Sequence, residues 1–392
     1  MADHSAIEWT DATWNPVVGC SVYSPGCTNC YAMRMAARIE RMQTALGHDT
    51  PYKGLTQPSK GGPVWIGEIR VAWQQLEQPL SWRKPRRIFV NSMSDLFHEG
   101  LPWEDIAQIY GTGIAAVHLR GHILQILTKR SGRMRELLRR EDFWDVANAA
   151  AQSAVLERVD PLDRRRDDAR ATLDTYDPDH PPPGIWLGAS TEDQRRFDER
   201  APELIDTPAA KRFISAEPLL GEVDATPFLF IYTHADEAML AADSAEPPEL
   251  PFNDPATTPQ ADISQPRLDW VIVGGESGPN ARPMHPDWTR SLRDQCQVAG
   301  VPFFFKQWGE WLVAAADPTM DFRFGDGEAF PIVSDGHDMV MSEAQDYRGA
   351  PKKIWREFWA TGDGQLAKRP GKKAAGAVLD GREWREFPQV PT

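Results

Sequence analysis

The sequence predicts an α/β fold: a full or partial parallel β/α barrel with insertions and a small C-terminal cap. Three observations point there. Short apolar runs recur along the chain, and each ends in polar residues. Stretches of helical composition separate them, and strands alternating with helices build βαβ units and a parallel sheet. The runs are continuously apolar, as strands covered on both faces are. A doubly wound open sheet gives similar runs, but no Gly-x-Gly-x-x-Gly turn follows the first one, which favours the barrel.

Taken in order, Trp14–Gly19 reads as the first strand and Tyr31–Glu40 as a helix, with a cysteine-bearing loop between them. Residues 50–63, rich in Gly, Pro and Lys, read as an excursion loop, and Glu68–Ala72 as a short edge strand. Further strands begin near Ile88, His122, Gly184, Lys211, Asp269 and Pro302. With the first they make about seven, close to the eight of a closed barrel. Helices are expected over Trp103–Ala116, Arg133–Arg140, Glu192–Ala201 and Trp288–Ala299. The barrel spans residues 1–311, interrupted by insertions at about 141–183 and 226–266, and residues 312–392 form a cap or lid. The first insertion is charged and helical at its start. The second is acidic and Pro-rich, which predicts a partly disordered surface segment.

Composition narrows the class. A chain of 392 residues with 41% hydrophobic content supports a sizeable core. No run of about 18 apolar residues is present, so no membrane span is expected, and the N-terminus lacks an apolar signal core. The expectation is a soluble, cytoplasmic protein. A net charge of −14 disfavours a general nucleic-acid coat but leaves room for a local basic groove.

Three of the four cysteines fall in eleven residues, Cys20, Cys27 and Cys30, spaced C-x6-C-x2-C. Three close thiolates suit a 4Fe–4S cluster with one open iron, which can bind a substrate or cofactor, S-adenosylmethionine foremost; four-cysteine ligation is the usual electron-transfer arrangement. Zinc is the rival, since Cys27-x2-Cys30 has knuckle spacing and Cys296 offers a fourth ligand. A disulfide is disfavoured because nothing marks the chain as secreted. Cys296, at an apolar helical position, is expected to be a buried core thiol.

In parallel barrels ligands bind at the C-terminal ends of the strands. The residues there are Asn91, Ser92, Ser94 and Asp95; Thr128 and Lys129; Ser190, Thr191 and Glu192; Glu217; Glu276 and Ser277; and Lys306 and Gln307. Lys129, Glu217 and Lys306 are the candidate catalytic groups. Asn91, Ser190, Gly274, Gly275, Glu276 and Ser277 are candidates for cofactor binding, the paired glycines because they let backbone approach a ligand closely. Half of this list follows simply from strands ending in polar loops. Glu217, Glu276 and Lys306 stand out because they abut apolar runs. His98 and His285 are read as ordinary histidines before acid–base groups.

Several segments carry a family resemblance: Ile7–Cys20, Ser24–Ala32, Val273–Gly278, Ala281–His285, Phe304–Gly309 and Gly371–Gly376. Over residues 1–140, 184–222 and 268–388 the chain resembles the phage-associated three-Cys-motif proteins, a domain of unknown function. That family is in turn similar to radical S-adenosylmethionine enzymes. The resemblance implies a β/α barrel with Cys20, Cys27 and Cys30 on a 4Fe–4S cluster, an external electron donor, and S-adenosylmethionine as co-substrate. The spacing departs from the common C-x3-C-x2-C, and Gly274-Gly-Glu276 falls at the sixth strand instead of the second. The expected function is thus a radical enzyme, with Glu276 on the cofactor's amino group and Lys129 or Lys306 on a carboxylate or phosphate. A zinc-stabilised nucleic-acid-binding module and a cluster-bearing electron-transfer partner are the alternatives. A nucleotide or nucleic-acid substrate is suggested by Arg83–Arg87, Lys129, Arg130, Arg133, Arg135 and Lys368–Lys373, with Trp308 available to stack on a base.

Overall fold

The computed structural model describes residues 5–159, 171–173, 175–229, 267–313, 358–360, 366–369 and 371–389. The chain starts with β1 (Ala12–Trp14), β2 (Val17–Gly19) and α1 (Tyr31–Ala45). A hairpin follows, β3 (Thr56–Ser59) and β4 (Gly62–Trp65), and then β5 (Ile69–Val71), which pairs antiparallel with β2. The single strand expected at Trp14–Gly19 is therefore two, in different sheets, and the expected loop at 50–63 contains a tight hairpin turning at Lys60 and Gly61.

After the short α2 (Gln78–Ser81) the βα rhythm begins. It runs β6 (Arg87–Val90), α3 (Trp103–Arg120), β7 (Ile123–Thr128), α4 (Ser131–Leu138), α5 (Glu141–Leu156) and β8 (Ile185–Ser190). It continues with α6 (Gln194–Ile205), β9 (Lys211–Ala216), α7 (Thr226–Leu229), β10 (Trp270–Gly274), α8 (Pro286–Ala299) and β11 (Phe303–Gln307). Helix α3 runs one turn past its expected end, to Gly121, which takes the left-handed conformation (φ 64°) that closes a helix. Beyond β11 come β12 (Leu312–Val313), β13 (Phe358–Ala360) and β14 (Leu366–Lys368), which pair with one another, then α9 (Lys372–Ala375) and the hairpin β15 (Val378–Leu379) and β16 (Arg382–Glu383). Most of the insertion expected at 226–266 lies outside the described residues.

Seven strands, β1-β6-β7-β8-β9-β10-β11, form one parallel sheet in that order, curled as a half-barrel. The two outer strands do not meet. The β11 edge is covered instead by residues 384–386: Phe305 N–H donates to the Trp384 carbonyl at 2.9 Å, and Phe304 bridges Arg385. A covered edge cannot recruit another chain.

Strand alternation sorts the core into two faces. Ile88, Val90, Leu124, Ile126, Ile185, Leu187, Ile214, Val271, Val273, Phe303 and Phe305 join the large cluster beneath the helices. Phe89, Trp186, Phe213, Trp270 and Phe304 face the other way and form an aromatic floor in the hollow of the sheet, filled from below by Trp9 and Phe387. Where the first insertion begins, α5 packs closely on α3 and buries Phe143, Trp144 and Ala147.

The α3–α5 seam depends on Gly111. A methyl group there would lie 2.2 Å from the Ala147 carbonyl oxygen. Gly111→Ala should destabilise the fold by about 1–3 kcal/mol in chemical denaturation, the usual cost of overpacking. Gly132→Ala in α4, whose methyl would meet nothing closer than 3.7 Å, should be neutral or stabilising by up to about 1 kcal/mol. Equal effects at the two sites would contradict the seam.

Candidate active site at the mouth of the half-barrel

The loop carrying Cys20, Cys27 and Cys30 leaves the sheet after β1 and β2 and lies over the C-terminal ends of the strands. All three cysteines are free and half-buried. Side chains from four strand ends hold the loop and the β2 strand that leads into it. From β6, Ser94 Oγ donates to the Val17 carbonyl at 2.8 Å. Asn91, in the left-handed conformation (φ 61°) that asparagine tolerates, accepts from Val17 N–H at 3.3 Å. From β8, the Glu192 carboxylate accepts from Gly26 N–H at 3.0 Å. From β10, the Glu276 carboxylate accepts from Asn29 at 3.1 Å and from the Arg282 guanidinium at 2.6 Å, and Arg282 also donates to the Pro25 carbonyl at 3.0 Å.

Just past β7, Arg130 is the fourth anchor. Its guanidinium is buried between Asp95 (3.0 Å), Glu99 (2.7 Å) and Ser21 Oγ (2.7 Å), and it stacks 4.7 Å from the Tyr23 ring centre. His98 completes this corner. Its Nδ1 accepts from Gly100 N–H at 3.0 Å, so its proton sits on Nε2, 2.9 Å from Ser21 Oγ. Burial, reinforced by Arg130, lowers its pKa and keeps it neutral.

Burial also governs the thiols. It pushes Cys20 up to about 12, with Asp95 adding to the rise and Arg130 opposing it. Cys30 is raised by burial against the pull of the Ala32 and Met33 N–H groups at the start of α1 and of Lys129. Each of the two also feels the charge of Cys27. Among the described residues, no three His, Cys, Asp or Glu side chains gather around one point where a metal ion would sit. Cys296 is elsewhere, fully buried on α8 in the main core, whereas Cys20 and Cys30 pack against a separate small cluster with Met33 and Met93.

Beneath the loop, above the aromatic floor, lies a polar layer built from alternate strand residues. Lys129 Nζ donates to Ser190 Oγ at 2.6 Å and pairs with Glu192 at 3.5 Å. Arg200 of α6 holds the same Glu192 carboxylate at 3.0 Å. Lys306 Nζ lies 3.0 Å from Glu217, whose other oxygen accepts from Trp9 at 3.2 Å and Ser215 at 3.0 Å. The three groups expected to carry chemistry, Lys129, Glu217 and Lys306, are thus brought to one layer.

Other residues singled out from the sequence have close neighbours inside the protein. The two glycines of Gly274-Gly275 serve internal packing: a methyl group on Gly274 would strike Glu217 at 2.6 Å, and one on Gly275 the Trp308 carbonyl at 2.0 Å. Ser277 meets Gln307 at 3.4 Å. Trp308 is buried with its N–H on the Val378 carbonyl, so it is not open to a stacking base. The run Arg83–Arg87 leads into the first residue of β6 and therefore sits at the opposite end of the sheet from the mouth. Arg133 and Arg135 are engaged with the His98 and Leu101 carbonyls and with Glu203. His285 caps α8. Sequence reading passed over Arg200, although a cation among Phe197, Ala201 and Leu204 on the inner face of a helix is a signal for a buried partner. Arg282, Asn29 and Ser21 gave no such signal.

Glu192 offers a direct check. Burial raises its pKa, but Lys129 and Arg200 outweigh that, and the carboxyl titrates below its usual 4.5. A depressed carboxylate contributes stability that is present above the unfolded value and lost as pH falls through the folded one. Glu192→Gln should lower the melting temperature at pH 7, and the deficit should shrink between pH 5 and pH 3. A deficit constant across that range would remove Glu192 from the anchor.

Among the described residues no helix is long and apolar enough to cross a membrane. No curated protein and no solved structure matches the chain. A family model described as "Protein of unknown function (DUF5131)" matches residues 4–388, both insertions included, and the chain belongs to that family.

Proposed function

We propose that the protein is an iron–sulfur enzyme of the radical S-adenosylmethionine type, with Cys20, Cys27 and Cys30 as the thiolates of a 4Fe–4S cluster. One observation carries the reading. Three half-buried cysteines share one loop over the mouth of a parallel half-barrel, and the fourth cysteine is buried in another part of the core. A donor set of three suits a cluster with one open iron and leaves a four-cysteine zinc site without its last ligand. When bound, such a cluster supplies an electron for reductive cleavage of S-adenosylmethionine.

The chain's own residues do the rest. Arg130, Glu192, Glu276 and Arg282 fix the loop, so Glu276 acts as a positioning residue and not as the group that takes a cofactor's amine. Lys129 and Arg130 place positive charge beside the thiolates, which favours their deprotonated form on ligation. The polar layer of Lys129, Ser190, Glu217 and Lys306 lies where a substrate would rest. Its two ammonium groups, already paired with Glu192 and Glu217, have donors left for a carboxylate or a phosphate, and a small nucleotide fits so few cations better than a polynucleotide does. The packed aromatic floor keeps water from reaching the layer from below.

Anaerobic purification followed by iron and sulfide analysis tests the cluster. About four irons per chain are expected, and they should be lost in the Cys20/Cys27/Cys30 triple Ala variant. A colourless protein with stoichiometric zinc would support the nucleic-acid-binding module instead. Iron without any S-adenosylmethionine cleavage would support the electron-transfer partner. Cys296→Ala should retain all of its iron while losing stability, because it opens a small void in a fully buried site. Loss of iron from that variant would restore four-thiolate ligation.

A further inference from the structure

The first turns of α1 reach from the end of β6, where Tyr31 donates to the Ser92 carbonyl, to the loop after β10, where Arg34 meets Gly278. Arg34 is half-buried. One of its terminal nitrogens would lie 2.7 Å from a methyl group on Gly278, and its Nε 3.9 Å from one on Gly62 of the β3–β4 hairpin. A guanidinium has five N–H donors, and a polar group drawn out of water needs a partner. Among the described residues no carboxylate pairs with Arg34 and no carbonyl accepts from it.

A second guanidinium comes to the same glycine. Arg369 donates to the Gly278 carbonyl at 2.7 Å and lies over the Trp311 ring, 5.7 Å from its centre. Standard backbone dimensions put the two guanidiniums within about 9 Å of each other, near enough to hold oxygens of one phosphate with bonds of about 2.8 Å. Arg38, one turn after Arg34 on the same face of α1, and Lys60, at the tip of the hairpin, are both exposed.

The acids nearby do not neutralise this corner. Residues 31–39, 50–67 and 277–283, the three stretches that meet at Arg34, contain none. Glu310 accepts from Gly278 N–H at 3.1 Å and stands 4.0 Å from Arg369. Glu276 is taken by Asn29 and Arg282, and Glu40 by Gly54 N–H. Farther out, Asp49 follows the far end of α1, and Glu68 pairs with Arg70 at 2.7 Å. Arg34, Arg38, Lys60 and Arg369 thus stand against Glu310 alone, in a chain of net charge −14. Such an excess suits an oxyanion of more than one charge, which is a phosphate and not a carboxylate.

We propose that Arg34 and Arg369, flanking Gly278, bind the phosphate group of a phosphorylated small molecule, with Arg38 and Lys60 adding long-range attraction. Lys129 and Lys306 of the polar layer take no part in this site, and no cysteine does, so it fills with or without iron.

The probe is inorganic phosphate, titrated onto the full chain under anaerobic conditions and followed by phosphorus NMR line broadening. Binding should weaken at least threefold when chloride is raised. It should weaken at least tenfold in Arg34→Met and at least threefold in Arg38→Met, whose exposed position leaves thermal unfolding unchanged. Lys129→Met in the polar layer and Lys84→Met at the far end of the sheet should bind as the native chain does. Absence of binding at low salt overturns the site, as does binding by Arg34→Met within twofold of native. Loss of binding in Lys129→Met alone places the anion in the polar layer and also overturns it. Displacement of phosphate by an equal concentration of acetate makes the corner a carboxylate site and overturns the phosphate assignment.

Discussion

Everything at the mouth depends on ion pairs that join an irregular cysteine loop to a packed sheet. A loop of this composition has no regular hydrogen-bond ladder of its own, and ordering each residue costs about 1–2 kcal/mol of backbone entropy. The structure offsets that cost with charge-assisted bonds from strands whose positions are already fixed by packing. Glu192 with Arg200 and Lys129, Glu276 with Arg282, and Asp95 with Arg130 are each compensated pairs. Breaking a buried pair by removing one partner typically costs about 3–5 kcal/mol, so the anchors are costly to lose singly. They serve geometry before stability: a thiol set fixed from four sides is a preorganised one.

The fold was legible because period and sequence spacing carry it. Six of the seven apolar runs became parallel strands, the seventh strand lying just ahead of the first expected run, and Lys129, Glu217 and Lys306 share one layer because each stands at a strand end on the side facing the hollow. What stayed hidden depended on distance in the chain. Nothing near Glu276 in sequence says that its carboxylate will be taken by Arg282 and Asn29. Nothing in Gly274-Gly275 says that the close neighbours are Glu217 and Trp308 and not a ligand. The basic run Arg83–Arg87 was misplaced for a simpler reason: it precedes its strand, and in a parallel sheet what precedes a strand is at the wrong end for the site.

The two faces of the sheet differ in chemistry. The sheet residues on the helix-covered face are mostly aliphatic, with Phe303 and Phe305 at the β11 edge, and the hollow face is aromatic at the floor and charged at the rim. Aromatic side chains fill a curved hollow with few residues and keep their polar edges useful. Trp9 shows this, packing against Phe89, Phe213 and Trp270 while its N–H supports Glu217. The floor therefore both excludes water and orients one carboxylate of the layer above it.

The floor is completed from far along the chain. Residues 384–387 supply Phe387 to Trp270 and Phe304, a carbonyl to the Trp270 N–H, and the strand-like cover of β11. Ribosomal synthesis delivers the cysteine loop first and this closing segment long afterwards. Until it arrives, the hollow has an open edge and a buried indole N–H without its acceptor. Assembly of the mouth therefore ends with the chain: the cysteine loop is made early, but the floor beneath it is complete only when residues 384–387 dock. The order of maturation, and not only the final fold, is written into where residues 384–387 lie.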